Sequence, residues 1–159
     1  MKTLNAGFTL IEMLMVVAVI AILAMVAMPS YQGKIIRDQI VEGSALANLA
    51  RGPIAASWAA TKTLPVDNLS LGLPAADKIV NNLVRAVTVQ DGAIHITYGN
   101  RANGNLKHKT LTLRPAVVED SPVVPVVWVC GMASAPDKMV VKGENKTDIA
   151  KEYLPTNCR

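Results

Sequence analysis

The pattern of apolar and polar positions divides the chain into an apolar N-terminal run and a mixed remainder. Residues 8–28 read FTLIEMLMVVAVIAILAMVAM, and among them only Thr9 and Glu12 are polar. As a helix this run is about 31 Å long, enough to cross the hydrocarbon core of a bilayer. It is too long for an ordinary secretory signal, and no small-x-small cleavage site lies between it and Pro29. The pattern therefore predicts a retained transmembrane helix.

Residues 29–60 continue a helical pattern that has one apolar face. Pro29 removes one helical hydrogen bond, so a bend is expected there. The Gly52-Pro53 pair predicts either a second bend or the start of a new helix, and a single smooth rod is not assured. An amphipathic helix is expected to about Ala60. Its apolar residues recur at a spacing of three to four: Ile36, Ile40, Ala47, Ala50 and Ile54.

The rest of the chain predicts a loop followed by a small sheet. Residues 61–83 carry several prolines and have weak periodicity, which indicates a connecting loop. Within residues 84–159 short apolar stretches follow one another, and Asp91-Gly92 is a strong hairpin signal between the first two. Four short strands in succession favour an antiparallel meander, with the amphipathic helix as cover for its apolar face. The predicted fold class is thus α+β, with strands at 84–89, 93–98, 106–114 and 123–130.

Charge and cysteine content add two limited constraints. The 16 basic and 12 acidic residues give a formal net charge of +4, an excess too small to identify a nucleic-acid binder. Cys130 and Cys158 are the two cysteines, and a bridge between them would fix the C-terminus to the fold. Two cysteines alone do not prove a disulfide, because unpaired buried thiols are common, but a membrane segment that delivers the remainder to an oxidising compartment favours the bridge. Positive charges flank the apolar run on both sides, so only the bridge indicates that the C-terminal part lies outside the cytoplasm.

Glu12 is the unusual residue of the apolar run. A carboxylate in hydrocarbon is costly and requires a partner of opposite charge, and the run itself offers none. A helix that served only as an anchor would be better with Leu at this position. The alternative interpretation is an incidental polar residue near the membrane edge. A partner supplied by processing, or by another subunit, explains Glu12 better.

The N-terminal sequence resembles the recognition sequence of type IV prepilins with a class III leader. The matching residues are Lys2 in a short basic leader, then Gly7-Phe8-Thr9-Leu10-Ile11-Glu12, and further on Met28-Pro29-Ser30-Tyr31-Gln32. The resemblance implies that residues 1–7 are removed by cleavage after Gly7 and that Phe8 becomes an N-methylated first residue. It also implies that Glu12 pairs with the terminal amine of a neighbouring subunit during assembly.

The resemblance extends to the C-terminal part and implies a type IVa-like major pilin. Trp128-Val129-Cys130 precedes a loop that ends at Tyr153-Leu154-Pro155-Thr156-Asn157-Cys158, similar to the disulfide-closed C-terminal loop of that family. The implied partners are identical subunits in a helical homopolymer, a prepilin peptidase that is also a methyltransferase, and the pilus assembly machinery. The implied locations are the inner membrane, with the N-terminus cytoplasmic and the C-terminal part periplasmic, and later an extracellular filament. Adhesion, twitching motility and DNA uptake are the functions expected of such a filament.

Sites of other kinds receive little support from the sequence. His95 and His108 are expected on the polar faces of strands, and neither is at metal-ligand spacing from a cysteine. We predict no metal, no cofactor and no catalytic residue, since nucleophile-elbow and phosphate-binding motifs are missing from the sequence. The sequence also contains a basic run without an acidic residue. A solvated strand face is its simpler interpretation, and contact with DNA phosphates or host-surface anions is the alternative. The candidate residues for that contact are Arg101, Lys107, Lys109 and Arg114.

Two further classes of protein remain open at this point. A pseudopilin of a type II secretion system would share the cleavage motif and the helix, although the two cysteines count against it. A membrane-tethered binding module that never polymerises would need no processing.

Overall fold

A computed structural model describes residues 7–159, and the side chains of all of these except residues 28–30. The predicted leader, residues 1–7, lies outside the described residues apart from Gly7. The first helix, α1, comprises Leu10–Ser44, a length of about 52 Å at 1.5 Å per residue. A 3₁₀ turn at Ala45–Ala47 separates it from α2, Asn48–Thr61. The helical region therefore continues past Pro29, and its break lies at residues 45–47, while Pro53 lies inside α2.

The second half of the helical region contributes one face to a hydrophobic core. This face follows the spacing of three to four residues that the sequence predicts, and Trp58 extends it by one further turn. The neighbouring positions on the other face, such as Arg37, Asp38 and Val41, are exposed. The buried residues of this face are Ile36, Ile40, Ala47, Ala50, Ile54 and Trp58.

The sheet is antiparallel and follows the predicted meander, β1-β2-β3-β4. Asp91 and Gly92 form the turn between β1 and β2, and both have positive φ (49° and 80°), as a two-residue hairpin turn requires. A short fifth strand that the sequence pattern did not indicate pairs with the C-terminal end of β3, beyond the first residue of β2. The strands are β1, Val84–Gln90; β2, Ala93–Tyr98; β3, Thr110–Val117; β4, Val127–Cys130; and β5, Val140–Val141.

Two strands begin later than the sequence-based prediction, while β1 and β3 end later than predicted, at Gln90 and Val117. β3 begins at Thr110 rather than at residue 106, because Leu106 is buried in a turn whose backbone reverses at His108, at a φ of 63°. β4 begins at Val127 rather than at residue 123. Residues 122–126 contain Pro122 and Pro125, which have no backbone N–H to donate to a neighbouring strand.

Close contact between helix and sheet depends on Gly43 and Tyr98. The Tyr98 hydroxyl donates a hydrogen bond of 2.7 Å to the backbone carbonyl of Ile40, and both residues are fully buried. A Cβ atom placed on Gly43 would lie 2.4 Å from Cε1 of Tyr98 and 3.0 Å from Cγ2 of Val84. Glycine at position 43 therefore lets the aromatic ring lie directly against the helix backbone. Burial in this contact raises the pKa of Tyr98.

The predicted loop, residues 61–83, is held against the edge strand β1 by one buried amide. The Asn68 side chain donates to the carbonyls of Val87 and Pro74 at 3.0 and 3.1 Å, and it accepts the Val89 N–H at 2.7 Å. These bonds satisfy backbone groups that an edge strand would otherwise expose.

The two cysteines form a disulfide that closes the C-terminal segment onto the sheet. Cys130 is the last residue of β4, and its Cα atom lies 4.5 Å from that of Cys158. The Cys158 carbonyl also accepts the Met132 N–H at 2.9 Å. Arg37 and Arg159 both donate to the carbonyl of Glu152, so helix and chain end are bound to the same turn.

Candidate functional site

The start of α1 is closed by a reciprocal pair of hydrogen bonds between Thr9 and Glu12. The Thr9 backbone N–H and hydroxyl both donate to Oε2 of Glu12, at 2.8 and 2.6 Å. The Glu12 N–H in turn lies 3.4 Å from the Thr9 hydroxyl oxygen, which accepts from it. This is a capping box, in which the residue before the helix and the third residue within it satisfy each other's donors.

One oxygen of the Glu12 carboxylate is left open by this arrangement. Both bonds from Thr9 reach Oε2, and Oε1 accepts no hydrogen bond from any residue that the structure describes. Glu12 is exposed, as are its neighbours along the helix. The cap thus fixes the orientation of the carboxylate while one oxygen stays available to an outside donor.

Thr9 is a functional candidate that the sequence reasoning missed. The apolar run offers Glu12 no partner of opposite charge, and this holds among the described residues. A neutral partner is nevertheless present three residues earlier. The signal was available in the sequence, because Thr9-Leu10-Ile11-Glu12 has the T-x-x-E pattern of a capping box followed by an apolar run.

Gly7 and Phe8 lie directly before the capped helix and are freely accessible. Phe8 is 75 % exposed, and a Cβ atom placed on Gly7 would meet no atom within 4 Å. Neither residue belongs to a helix or strand. The backbone between them is therefore open to an enzyme that approaches from solvent.

The helix after this cap presents an unusually large apolar surface. An 18-residue window within Leu10–Thr61 has a mean hydropathy of 2.8, and this helix is long and apolar enough to cross a membrane. Every residue from Leu10 to Ala27 is exposed, for example Leu10 at 81 % and Val26 at 72 %. Soluble monomers rarely expose so extended an apolar surface, which indicates that lipid or other protein covers it.

The four candidate residues of the basic run do not form one surface of free charges. Lys109 has an acidic partner from outside the run, since its Nζ lies 3.6 Å from Oδ2 of Asp148. Arg114 donates to the Gly131 carbonyl at 3.2 Å, and its Nε is buried. Arg101 and Lys107 are exposed, in the turn that precedes β3, and have no ion pair within residues 7–159. Only these two remain candidates for contact with an external anion.

The two histidines do not lie on polar strand faces as the sequence analysis expected. His95 belongs to β2 and is 5 % exposed, whereas His108 is exposed but lies in the turn before β3. The segment after β5 covers the second face of the sheet, where the Lys146 N–H donates to Thr112 Oγ1, so alternation did not reveal the burial of His95. Among the described residues, no group of three or more His, Cys, Asp or Glu side chains is suited to hold a metal ion.

Known protein families match both parts of the chain. A model of the pilin family, described as a bacterial filament protein, matches residues 37–159, and the prokaryotic N-terminal methylation motif matches residues 2–28. The type IV major pilin protein PilE of Neisseria gonorrhoeae is 32 % identical over 165 residues, which cover all of this chain and 96 % of that protein.

Further relatives carry similar names. A fimbrial protein of Neisseria meningitidis serogroup B is 30 % identical over 168 residues, again covering all of this chain and 96 % of its own length. The type IV major fimbrial protein FimA of Dichelobacter nodosus is 34 % identical over 132 residues, or 75 % of this chain and 82 % of that protein. The chain therefore belongs to the pilin family and is a structural subunit of a type IV pilus filament.

Proposed function

We propose that this subunit enters the filament after cleavage between Gly7 and Phe8, and that the capped Glu12 then pairs with the new amine of a neighbouring subunit. The observation that carries the proposal is the Glu12 carboxylate, held by Thr9 through one oxygen and open at the other, at the head of an exposed apolar helix. This geometry and the methylation motif that matches residues 2–28 support the roles proposed for Gly7 and Phe8 in cleavage and for Glu12 in pairing.

Processing supplies the positive charge that Glu12 lacks. Hydrolysis of the Gly7–Phe8 bond would leave a cationic amine on Phe8, one helical turn before Glu12. We propose that the prepilin peptidase that cuts this bond also catalyses transfer of a methyl group from a methyl-donor cosubstrate to the new amine. Methylation leaves the amine positively charged, so its attraction to a carboxylate is retained.

Pairing between subunits fixes their register along the filament. An amine and a carboxylate in an apolar surrounding attract strongly and are costly to leave unpaired, so a position that matches the two groups is favoured over a shifted one. The apolar helix surface from Leu10 to Val26 supplies the area that neighbouring helices cover. Glu12 thus determines the axial position of a subunit in the filament, and burial of the apolar surface drives the association of the helices.

The subunit occupies two places in succession. Before assembly the apolar helix anchors it in the inner membrane, with the N-terminus in the cytoplasm and residues 29–159 in the periplasm, where the disulfide can form. After assembly the same helix lies inside an extracellular filament. The assembly machinery that moves it is the further partner that we propose. Adhesion and twitching motility are the proposed roles of the filament, and contact with DNA or a host surface stays a prediction for Arg101 and Lys107.

Gly7→Val tests the processing step. We expect wild-type filaments to contain a chain that begins at Phe8 and carries one added methyl group, as measured by intact mass. Gly7→Val should remain uncut and retain Met1, because a branched side chain crowds the scissile bond. Position 7 has open space around it, so the change should not disturb the fold. Gly33→Ala, at another glycine with open space, is the matched control and should be cut normally. Met1 in assembled wild-type filaments would contradict the proposal.

A pseudopilin and an unprocessed tethered module predict other outcomes. The disulfide-closed C-terminal loop and the fimbrial relatives favour the pilus over a secretion pseudopilin. A module that never polymerises would be recovered from membranes with Met1 in place and would yield no sheared filaments.

A further inference from the structure

A pocket of about 340 Å³ lies where the end of α1, strands β3 and β4, and the C-terminal turn meet. We name it the Arg51 pocket. Its apolar wall includes Val41, Leu113 and Trp128, and the Cys130–Cys158 disulfide also lines it. Arg51, Ser44 and Asn157 add polar groups to the lining. This combination of an apolar wall with a few polar groups is typical of a small-ligand site, and the volume is at the lower end of such sites.

Arg51 is the charged group of the pocket, and it has no acidic partner within residues 7–159. Its Cζ lies 5.8 Å from the centroid of the Trp128 ring, which attracts a cation to its face. Nη1 donates to Oδ1 of Asn48 at 3.1 Å, and Nε is buried without a hydrogen-bond partner. Most of the five guanidinium N–H donors therefore remain unused.

A partly buried guanidinium without a counter-charge is unusual, because removing a charge from water is costly unless it is paired. Burial lowers the pKa of Arg51, which means that the surroundings do not fully compensate the charge. The buried, unpaired Nε of Arg51 and the lack of an acidic partner together indicate that the pocket lacks an anionic acceptor.

We propose that the Arg51 pocket binds a carboxylate carried on a short apolar body. The carboxylate accepts the forked hydrogen bonds of Arg51, which match its geometry, and the body packs against Trp128 and Leu113. Two sources supply this chemistry, namely a free organic acid and an Asp or Glu side chain of an adjacent subunit in the filament. The proposal does not depend on cleavage at Gly7 or on Glu12, because the pocket is complete within one chain.

Butyrate and butyramide are the probes for this proposal, since they share a four-carbon body and only butyrate is charged. The full chain, held as single subunits in detergent micelles, is titrated at neutral pH while the indole N–H signals of its two tryptophans are followed by NMR. Butyrate should shift the Trp128 signal with a Kd on the order of 5 mM. The Trp58 signal should not move, because Trp58 is buried outside the pocket. Butyramide should bind at least about tenfold more weakly.

Substitution at Arg51 identifies the recognising group. Arg51→Met keeps an apolar stem on Trp128 and should remove the preference for butyrate over butyramide, and Arg51→Lys should keep part of it. Arg85→Met is the matched control, because Arg85 is exposed and lies outside the pocket, and it should bind as wild type does. Unchanged thermal unfolding of Arg51→Met excludes loss of the fold as the cause. Equal binding of the two probes, or an unchanged preference in Arg51→Met, would overturn the proposal.

The same titration on sheared filaments distinguishes the two sources. If an acidic side chain of a neighbour fills the pocket, filaments should not bind butyrate although single subunits do. If a free acid is the ligand, both forms should bind it. Absence of binding to single subunits would refute the pocket and would leave the tests at Gly7 and Glu12 unaffected.

Discussion

At the scale of single residues, the Thr9 hydroxyl is expected to influence assembly through Glu12. Thr9→Val keeps the shape of the side chain and removes one of the two donors to Oε2. The carboxylate is then held by the backbone N–H of residue 9 alone and is less well oriented, so fewer subunits should join with the amine of a neighbour in place. We expect a lower yield of sheared filaments, with unchanged subunit in the membrane fraction.

Thr9→Ser is the control for this prediction, because serine retains the hydroxyl and should restore the yield. Equal filament yields from Thr9→Val and wild type would contradict a role for the cap in assembly.

A second residue-scale prediction concerns pH and His95. Burial first, and the positive charge of Lys146 second, lower the pKa of His95, while Glu144 acts weakly in the opposite direction. The lower pKa means that the unfolded chain binds the proton more readily. Neutral His95 therefore contributes to the free energy of unfolding. This contribution is complete above about pH 6.5, the pKa of an unperturbed histidine, and it is lost as the pH falls toward the lowered pKa. For one group the slope is at most about 1.4 kcal/mol per pH unit.

Urea unfolding of residues 29–159 at pH 7.5 and 5.5 measures this effect. His95→Gln should show a smaller loss of unfolding free energy between the two pH values than wild type does. His108→Asn, at the exposed turn with positive φ, should behave as wild type. An identical pH dependence in wild type and His95→Gln would show that His95 does not contribute.

The roles of individual residues were predictable from the sequence where a short local motif indicated them. The run around Glu12 and the position of Gly7 are contiguous in sequence, and even the missed Thr9 partner has a four-residue pattern. Lys109 and His95 were harder, because the Asp148 that pairs with Lys109 and the segment that covers His95 come from distant parts of the chain. Such contacts follow from the tertiary fold, which spacing along the sequence does not encode locally.

At the scale of secondary-structure elements, Gly43 is expected to stabilise the contact between α1 and β2. Gly43→Ala places a methyl group where the Tyr98 ring lies, and this overpacking should lower the free energy of unfolding by about 1–3 kcal/mol. Helix propensity alone predicts the opposite sign, since Ala favours a helix over Gly by about 1 kcal/mol. The two effects therefore compete, and the contact should dominate.

Chemical denaturation of residues 29–159 decides between these effects. Gly33→Ala is the matched control, because nothing lies within 4 Å of a Cβ at that position, and it should not be destabilised. A Gly43→Ala chain at least as stable as wild type would show that the ring moves aside without loss.

The elements themselves were largely predictable, and the exceptions have physical causes. The helical period and the Asp91-Gly92 turn specify the helix face and the first hairpin from local sequence. The late start of β3 depends on the burial of Leu106, and β5 has only two residues, too few to produce a pattern of alternation. The interruption at Ala45–Ala47 lies in good helix formers, but it directly follows Gly43 and Ser44, a pair that weakens a helix.

At the scale of the whole molecule, the chain combines two parts with different requirements. The described residues form two compact units, 7–35 and 36–159; the first exposes its apolar surface and the second has its own core. The disulfide within the second unit stabilises it by about 3.6 kcal/mol in the chain-entropy model, which assists a domain of this size. In the sequence, composition changes sharply after Met28, seven residues before the boundary between the two units.

The pairing of Glu12 with the amine of a neighbour is the central claim about the whole molecule. Glu12→Ala should enter the membrane at least as readily as wild type, because a carboxylate is removed from the apolar run. The same change should prevent assembly, since every joining subunit would bury an amine without its counter-charge. Glu12→Gln should behave similarly, because it keeps the size of the side chain and loses the charge.

The most direct test compares subunit in the membrane fraction with subunit in sheared surface filaments, for wild type, Glu12→Ala and Glu12→Gln expressed without wild-type chains. The expected result is abundant membrane protein from all three and filaments from wild type alone. A normal yield of filaments from Glu12→Ala would contradict the pairing and would leave Glu12 an incidental polar residue at the head of the helix.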